Sequence, residues 1–305
     1  MGDTEKTYIQ EVASSCVARW GTDKKTENFS GKLGRFVSQL RDDRELGDIL
    51  IELVKHYNYY TRKQIEVILM DIHNTINNVL YLNPQETIYS RIEDDSKIDS
   101  SNSLLEEFKI INDISNSFSH DIEKLNIEDF NYITNVVFID DIIGSGKTVE
   151  KFFKKNIKKL SKVNIYIFCI EILEEGKQHL EQYIQNQNLT CIINQFNIHS
   201  RAFSNLKIFN SDNYEKEQML RKFEEGLFGA NSKFVMGFEN SQAIISFYRN
   251  TPNNTLGTFW YSGSKWEGLF PRSKGQPNFM SQRNKKKRKS AVPYNMKRLG
   301  LAKDD

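Results

Sequence analysis

Apolar residues recur at helical spacing between residues 30 and 80, and this pattern predicts three helices. The breaks between them fall near residues 42–43 and near Thr61. Residues 1–30 are polar and weakly patterned, with Trp20 as their large anchor. A helix-turn-helix could be drawn over the three helices, but no basic face marks a recognition helix, so a DNA-reading role is the weaker interpretation.

From residue 83 onward, short apolar runs alternate with helical patterns. Strands are predicted at 87–92, 136–139, 164–172 and 190–196, with helices at 104–114, after residue 148 and at 176–185. This alternation predicts an α/β fold built on a doubly wound, mainly parallel sheet. We expect a helical region at 1–82, an α/β domain at 83–273 and a tail at 274–305.

Composition narrows the class of protein. The 305-residue chain is 38% hydrophobic and 27% charged, within the globular range. No run approaches the roughly 18 apolar residues of a membrane span, and no basic segment with an apolar run opens the chain as in a signal peptide. Cys16, Cys169 and Cys191 match no zinc or redox spacing. We therefore expect a cytoplasmic protein without membrane contact or a structural metal.

The formal net charge of +2 is unevenly distributed. Residues 274–305 contain ten basic and two acidic residues, which leaves 32 basic and 38 acidic residues, a charge of −6, in residues 1–273. Six cations stand within seven residues: Arg283, Lys285, Lys286, Lys287, Arg288 and Lys289. This run predicts either a solvated extension or a contact with RNA or DNA phosphates that needs no base specificity. The acidic body favours the second, and such binding should weaken steeply with salt.

The most informative segment is V-V-F-I-D-D-I-I-G-S-G-K-T at 136–148. A buried strand leads to Asp140 and Asp141, and a glycine-rich loop then opens a helix near Lys147. Backbone amides of such a loop, together with the helix N-terminus, favour a bound phosphate. The two carboxylates are suited to accept hydrogen bonds from sugar hydroxyls or to bind a cation through water. A phosphate next to vicinal hydroxyls describes a ribose 5-phosphate.

Two other interpretations of this segment are weaker. The end of the motif is similar to a P-loop, G-x-x-x-x-G-K-[ST], but Asp141 stands where the first glycine is required, and its charge would repel a polyphosphate. The segment is also compatible with an ordinary strand-to-helix turn capped by serine and glycine.

The segment resembles the ribose-phosphate signature of type I phosphoribosyltransferases, with Gly144 where those enzymes usually have Thr and Lys147 in place of a small residue. The resemblance implies the fold of these enzymes, with Asp140 and Asp141 as catalytic residues that hold the ribose hydroxyls. It also implies a 5-phosphate site made by Gly144, Ser145, Gly146, Lys147 and Thr148.

A second resemblance spans about residues 20–272. It rests on G-x-x-N-x-Q from Gly237, N-T-P-N-N-T-L at 250–256, two tryptophans and L-F-P-R at 269–272. These features are similar to the phosphoribosyltransferase-like domain of bacterial conflict systems, whose members are encoded beside retron reverse transcriptases and other anti-phage modules. The resemblance implies a toxic effector, with RNA or DNA and a defence-system protein as partners. Asn253 and Asn254 make either a tight structural turn or the base side of the pocket.

In type I phosphoribosyltransferases a second loop binds pyrophosphate, usually with Mg²⁺. Its counterpart here is the segment 93–103, with Arg91 and Lys97 as basic groups, and this segment lacks the glycine of the familiar pattern. Chemistry at the anomeric carbon would depend on positioning and charge stabilisation. No general acid or base stands out in the sequence. Of the five histidines, His199 is the best candidate because it follows the strand predicted at 190–196.

Three functional hypotheses follow from the sequence. The first is an effector enzyme acting on a ribose-5-phosphate compound, either phosphoribosyl pyrophosphate (PRPP) or a nucleotide. The second is a non-catalytic sensor or assembly subunit that binds a nucleotide or nucleic acid. The third, an ordinary nucleotide-salvage transferase, is disfavoured by the helical N-terminus and the basic tail. Self-association of the chain stays open.

Overall fold

The computed structural model describes residues 3–40, 43–92, 100–209 and 213–272. The helices are α1 (Asp3–Trp20), α2 (Phe29–Ser38), α3 (Arg44–Lys55), α4 (Arg62–Asn78), α5 (Ser100–Ile111), α6 (Lys147–Leu160), α7 (Glu174–Asn186), α8 (Asn213–Phe228) and α9 (Gly257–Trp260). The strands are β1 (Asn58–Tyr60), β2 (Thr87–Ser90), β3 (Asn135–Ile143), β4 (Asn164–Leu173), β5 (Cys191–His199) and β6 (Ile245–Phe247). The chain divides into the units Met1–Pro271 and Arg272–Asp305. The six predicted tail cations lie outside the described residues.

Four parallel strands form the main sheet, in the order β2-β3-β4-β5. Val136 of β3 lies opposite Ile88 of β2 and Ile165 of β4, so the carboxyl ends of these strands meet at one edge. The predicted α/β fold with a parallel sheet is therefore confirmed, and β3 ends at the edge where open parallel sheets generally bind ligands.

Helices cover both faces of this sheet, as a doubly wound arrangement requires. On one face, Phe153 of α6 and Leu180 of α7 pack against Phe138. On the other, Leu69 of α4 and Phe108 of α5 pack with other apolar residues of β3 and β4. A strand covered on both sides excludes water along its whole length, and this explains why the run at 136–139 is continuously apolar.

A second, two-stranded sheet joins distant parts of the chain, because β1 pairs in parallel with β6. Next to it, residues from both ends of the described chain share one core that is rich in aromatic rings. Phe270 stacks on Tyr59 and Tyr57, with ring centroids 5.1 Å apart in both pairs, and Trp20 meets Phe270 edge-on. The N-terminal helices and the segment 256–270 therefore stabilise each other by burying these rings.

The three helices predicted between residues 30 and 80 are confirmed as α2, α3 and α4. Helix α4 begins where a capping box forms, since the Thr61 side chain accepts a hydrogen bond from the amide of Gln64 and the Gln64 side chain bonds back to the amide of Thr61. Residues 1–30 are weakly patterned, and the helix that they form was not predicted individually. Helix α1 has 18 residues, and its buried positions follow helical spacing: Ile9, Val12, Ala13, Cys16 and Trp20.

Three predicted boundaries needed correction. Strand β3 continues to Ile143, four residues further than predicted, so both aspartates belong to the strand. Strand β5 reaches His199 instead of ending at 196. The segment 93–103 is not a loop throughout, because α5 begins at Ser100; residues 93–99, with Lys97, lie outside the described residues. Strands pair through backbone hydrogen bonds, which do not require apolar side chains. The polar residues at these strand ends therefore gave no sequence signal that the strands continue.

A buried carboxylate of α8 is hydrogen-bonded to two later parts of the chain, at Met236 and Thr258. Glu224 Oε1 accepts hydrogen bonds from the amide and hydroxyl of Thr258, at 2.7 and 2.8 Å, and Oε2 accepts one from the amide of Met236, at 2.6 Å. Burial raises the pKa of Glu224 to about 7. In the described part of the chain, no helix combines the length and apolar character needed to cross a bilayer.

Candidate sugar-phosphate site

Two half-buried carboxylates stand at the carboxyl end of β3. Asp140 Oδ1 accepts a hydrogen bond from the amide of Asp141, and Asp141 Oδ1 accepts one from the amide of Ile142, both at 2.8 Å. Each bond uses one carboxylate oxygen and orients its side chain. The structure thus places both predicted residues at the edge where parallel sheets bind ligands.

The glycine-rich loop lies directly beyond these acids. It spans residues 144–146, and α6 begins at Lys147 with Gly146 as its N-cap, at φ 75° and with no side-chain cap. The first-turn amides of a helix have no carbonyl partner within the helix, and their positive end favours an anion. Ser145 and Thr148 are exposed at this turn. The residues predicted to bind the 5-phosphate therefore form one continuous turn beside the two aspartates.

The loop is held in place by close packing on two sides. A Cβ built on Gly176, in the first turn of α7, would overlap the carbonyl oxygen of Gly144. A Cβ built on Gly144 would overlap the side-chain amide of Asn254. Only glycine permits both approaches, so the loop is wedged between the start of α7 and the 253–254 turn.

Asn253 and Asn254 were predicted as a turn or as the base side of the pocket. In the structure, the carbonyl of Asn253 accepts a hydrogen bond from the amide of Phe238 at 2.7 Å, and that of Asn254 accepts one from the Ser241 hydroxyl at 2.7 Å. The turn therefore joins the glycine-rich loop to the segment 236–242.

The segment 236–242 has an unusual backbone. Positive φ angles occur at Met236, Gly237, Glu239, Asn240 and Gln242. Residues other than glycine adopt this conformation at a cost, which surrounding contacts must offset. Glu239 presents Oε2 at 3.1 Å from Nζ of Lys147, so this segment also places a carboxylate beside the glycine-rich loop.

A second polar group at the same sheet edge was missed in the sequence. Glu171 of β4 is fully buried and lies opposite Ile142 of β3. Its Oε1 accepts hydrogen bonds from Tyr60 at 2.6 Å, Asn197 at 3.0 Å and Asn58 at 3.2 Å. Its Oε2 lies 2.8 Å from His199 Nδ1. One carboxylate thus ties β4 to β5 and to the second sheet.

The missed signal was a charge within an apolar strand. Glutamate is almost never fully buried unless it is paired, so Glu171 between two isoleucines required partners. Burial and the nearby Glu171 charge raise the pKa of Tyr60, which keeps its hydroxyl protonated as a donor. His199 lies at the carboxyl edge as expected and bonds to Glu171; its Nε2 is buried without a hydrogen-bond partner among the described residues.

Cys169, beside the site, is an unreactive thiol. Cys169 lies opposite Asp140 on β4 and is 1% exposed. Burial, with the negative charges of Asp140 and Glu171, raises the pKa of its thiol, so it stays protonated at neutral pH. Cys169 therefore packs as a small buried side chain, and the three cysteines are free.

The remaining candidate residues are placed as follows. Arg91 follows the last residue of β2, so it lies near the same sheet edge. Trp266 is 3% exposed, with Nε1 donating to the carbonyl of Thr258 at 2.7 Å. Trp260 packs on Phe228, with ring centroids 5.2 Å apart. Both tryptophans therefore pack against other residues of the domain.

Gly176→Ala is expected to destabilise the protein by about 1 to 3 kcal/mol, because the new methyl group must displace the glycine-rich loop. Binding of ribose 5-phosphate, followed as thermal stabilisation, should be lost with it. Gly226→Ala in α8 is the matched control, since nothing lies within 4 Å of its built Cβ. That change should stabilise by about 0.5 to 1 kcal/mol. Equal effects of the two changes on stability would show that the close approach to Gly144 is unimportant.

The fold and the site together define a phosphoribosyltransferase-like α/β protein. The PRTase-CE family model matches residues 33–272, and the chain belongs to this family. The resemblance to phosphoribosyltransferases is thereby confirmed at the level of the domain.

Among solved structures, xanthine-guanine-hypoxanthine phosphoribosyltransferase from Helicobacter pylori is similar with a TM-score of 0.32 and 9% identity, over 52% of this chain and 96% of that one. The AQ2163 protein from Aquifex aeolicus is similar with a TM-score of 0.33 and 16% identity, over 57% of this chain and 84% of that one. Both TM-scores lie below 0.5, so the assignment rests on the family model. No curated protein matches the chain.

Proposed function

We propose that the protein binds a ribose-5-phosphate compound, PRPP or a nucleotide, at the carboxyl edge of its main sheet and breaks or makes the bond at the anomeric carbon. The observation that carries this proposal is the turn at 144–148 directly beside Asp140 and Asp141. The amides of the turn suit a dianionic phosphate, and the carboxylates suit the hydroxyls of the attached sugar.

The chemistry follows from charge placement. As the bond at the anomeric carbon breaks, positive charge develops on the ribose ring, and two carboxylates that hold its hydroxyls stabilise that charge. The turn fixes the phosphate end of the same molecule, so the sugar is held at two points and is oriented for attack. The leaving group, a base or pyrophosphate, takes the electron pair of the broken bond. Water or an acceptor base supplies the electron pair of the new bond to the same carbon and gives up a proton to solvent.

Mg²⁺ is compatible with the donor set. Magnesium is commonly held by one or two carboxylates, substrate phosphates and water, and Asp140 and Asp141 could supply the protein part. The described residues contain no cluster of three or more His, Cys, Asp or Glu that could form a dedicated cage. When bound with a diphosphate substrate, the ion would neutralise charge on the leaving group.

The role that we propose is that of a toxic effector in a bacterial phage-defence system of retron type, restrained by a nucleic-acid or protein partner. This role rests on the resemblance of the motifs at 237–242, 250–256 and 269–272 to the domains of bacterial conflict systems. The second candidate is a non-catalytic nucleotide-binding or nucleic-acid-binding subunit. It is favoured by the absence of glycine from 93–103, where pyrophosphate would bind.

The test is to incubate the purified protein with PRPP, and separately with nucleotides, and to follow products by ³¹P NMR and mass spectrometry. Release of pyrophosphate, or of a free base and ribose 5-phosphate, is the expected result. Thermal stabilisation by these compounds without any product would favour the binding subunit. If neither stabilisation nor product is observed, the enzymatic proposal and the nucleotide-binding subunit are both refuted.

A further inference from the structure

Helix α6 presents one stripe made only of lysine. At 3.6 residues per turn, five of its positions fall within a sector of about 100°, and the next position in that sector lies two residues beyond the helix end. All six are exposed lysines: Lys147, Lys151, Lys154, Lys155, Lys158 and Lys162. The opposite face is buried through Val149, Phe152, Phe153, Asn156 and Leu160.

Carboxylates of the described residues lie against the stripe and offset part of its charge. Glu150 Oε1 is 2.5 Å from Lys154 Nζ, and Glu123 Oε2 is 2.7 Å from Lys155 Nζ. The third, Glu239, pairs with Lys147. The stripe thus gathers six lysines on one helix face, whereas residues 1–273 as a whole carry −6. Such local charge of the opposite sign attracts polyanions.

A groove runs beside the stripe. This surface cavity of about 600 Å³ is lined by Glu123, Ile127 and residues 154–159. Lys159, on its wall, donates to the carbonyl oxygens of Ile122 at 2.8 Å and Glu123 at 3.2 Å, which anchors the far side of the groove to α6. An extended ligand could thus lie along α6 with the lysine stripe on one side of it.

The composition of the stripe favours nucleic acid over protein. Protein interfaces are depleted in lysine and enriched in aromatic residues and methionine, and this sector contains no apolar residue. The positions 147–162 span about 22 Å, which corresponds to about six phosphates along one strand. Ammonium groups are compact charges that contact phosphates without reading bases.

We propose that the lysine stripe of α6 binds the phosphate backbone of RNA or DNA without base specificity. The contact lies on the folded domain, in addition to any contact made by the predicted basic tail, and it does not depend on chemistry at the sugar-phosphate site.

The test measures binding of the full chain to a fluorescent 20-nucleotide RNA and to a 20-base-pair DNA at several salt concentrations. The stripe variant is K151Q/K158Q/K162Q, which leaves Lys147 at the glycine-rich loop intact. The control variant K24Q/K63Q/K222Q removes the same charge from exposed positions elsewhere. Each phosphate contact that a variant loses makes the slope of log K against log salt shallower by about 0.7 to 0.9.

The stripe variant should therefore lose about two units of slope and at least ten-fold in affinity, while the control variant stays close to wild type. An unchanged slope and affinity in the stripe variant overturns the proposal. So does an absence of nucleic-acid binding by the wild type. Competition by polyglutamate as strong as that by RNA of equal charge also overturns it, and would point to an acidic protein partner. Circular dichroism of each variant checks that the fold is intact.

Discussion

Asp140→Asn with Asp141→Asn is expected to abolish turnover of the ribose-5-phosphate compound, with a loss of about 10² to 10⁴-fold. Hydrogen bonds to a charged group contribute about 1.5 to 3 kcal/mol each, and each 1.4 kcal/mol is a factor of ten. Asparagine keeps the Oδ1 atom that accepts the neighbouring amide in both positions, so the strand end should keep its shape. Product formation, measured by mass spectrometry, reports the loss.

The matched control is Asp48→Asn with Asp71→Asn, which removes the same charge from exposed helical positions. It should leave turnover unchanged. In cells that express the protein, toxicity should disappear with the site variant and persist with the control. Turnover or toxicity that survives the change at 140 and 141 would exclude sugar chemistry at these carboxylates.

The largest effect on stability is expected for Glu171→Ala. The change leaves the donors of Asn58, Tyr60, Asn197 and His199 without the fully buried carboxylate that accepts from them. Loss of one partner from such a buried charged network costs about 3 to 5 kcal/mol. Urea unfolding at pH 7 measures this loss.

Tyr60→Phe provides the graded comparison for that network. It removes one donor and leaves the carboxylate with the other three, so it should cost about 1.5 to 3 kcal/mol. A loss below about 1 kcal/mol for Glu171→Ala would show that the carboxylate does not hold the two sheets together.

The local part of the site could be predicted from the sequence. The segment 136–148 is a buried strand, two acids, a glycine-rich turn and a helix, and each property depends on neighbours along the chain. For that reason the order of strand, aspartates, turn and helix between residues 136 and 148 was predicted correctly. The length of β3 was missed because strand pairing at 140–143 depends on β4.

Two other features, the buried positions of α1 and the lysines of α6, were present in the sequence but were not recognised there. The spacing of Ile9, Val12, Ala13, Cys16 and Trp20 is helical, and polar neighbours obscured it. The lysines of α6 were visible as a run of charge, yet only the helix bounds and their exposure show that they share one face.

The sequence by itself determined the class of fold, the order of strand, turn and helix around residue 144, and the opposite charges of body and tail, because these depend on local periodicity and on composition. Only the tertiary structure decided that Gly176 and Asn254 clamp the turn, that β1 pairs with β6, and that Glu171 accepts hydrogen bonds from two strands, β1 and β5. Contacts between residues far apart in the chain depend on how apolar faces pack, and many packings are compatible with one pattern of apolar positions.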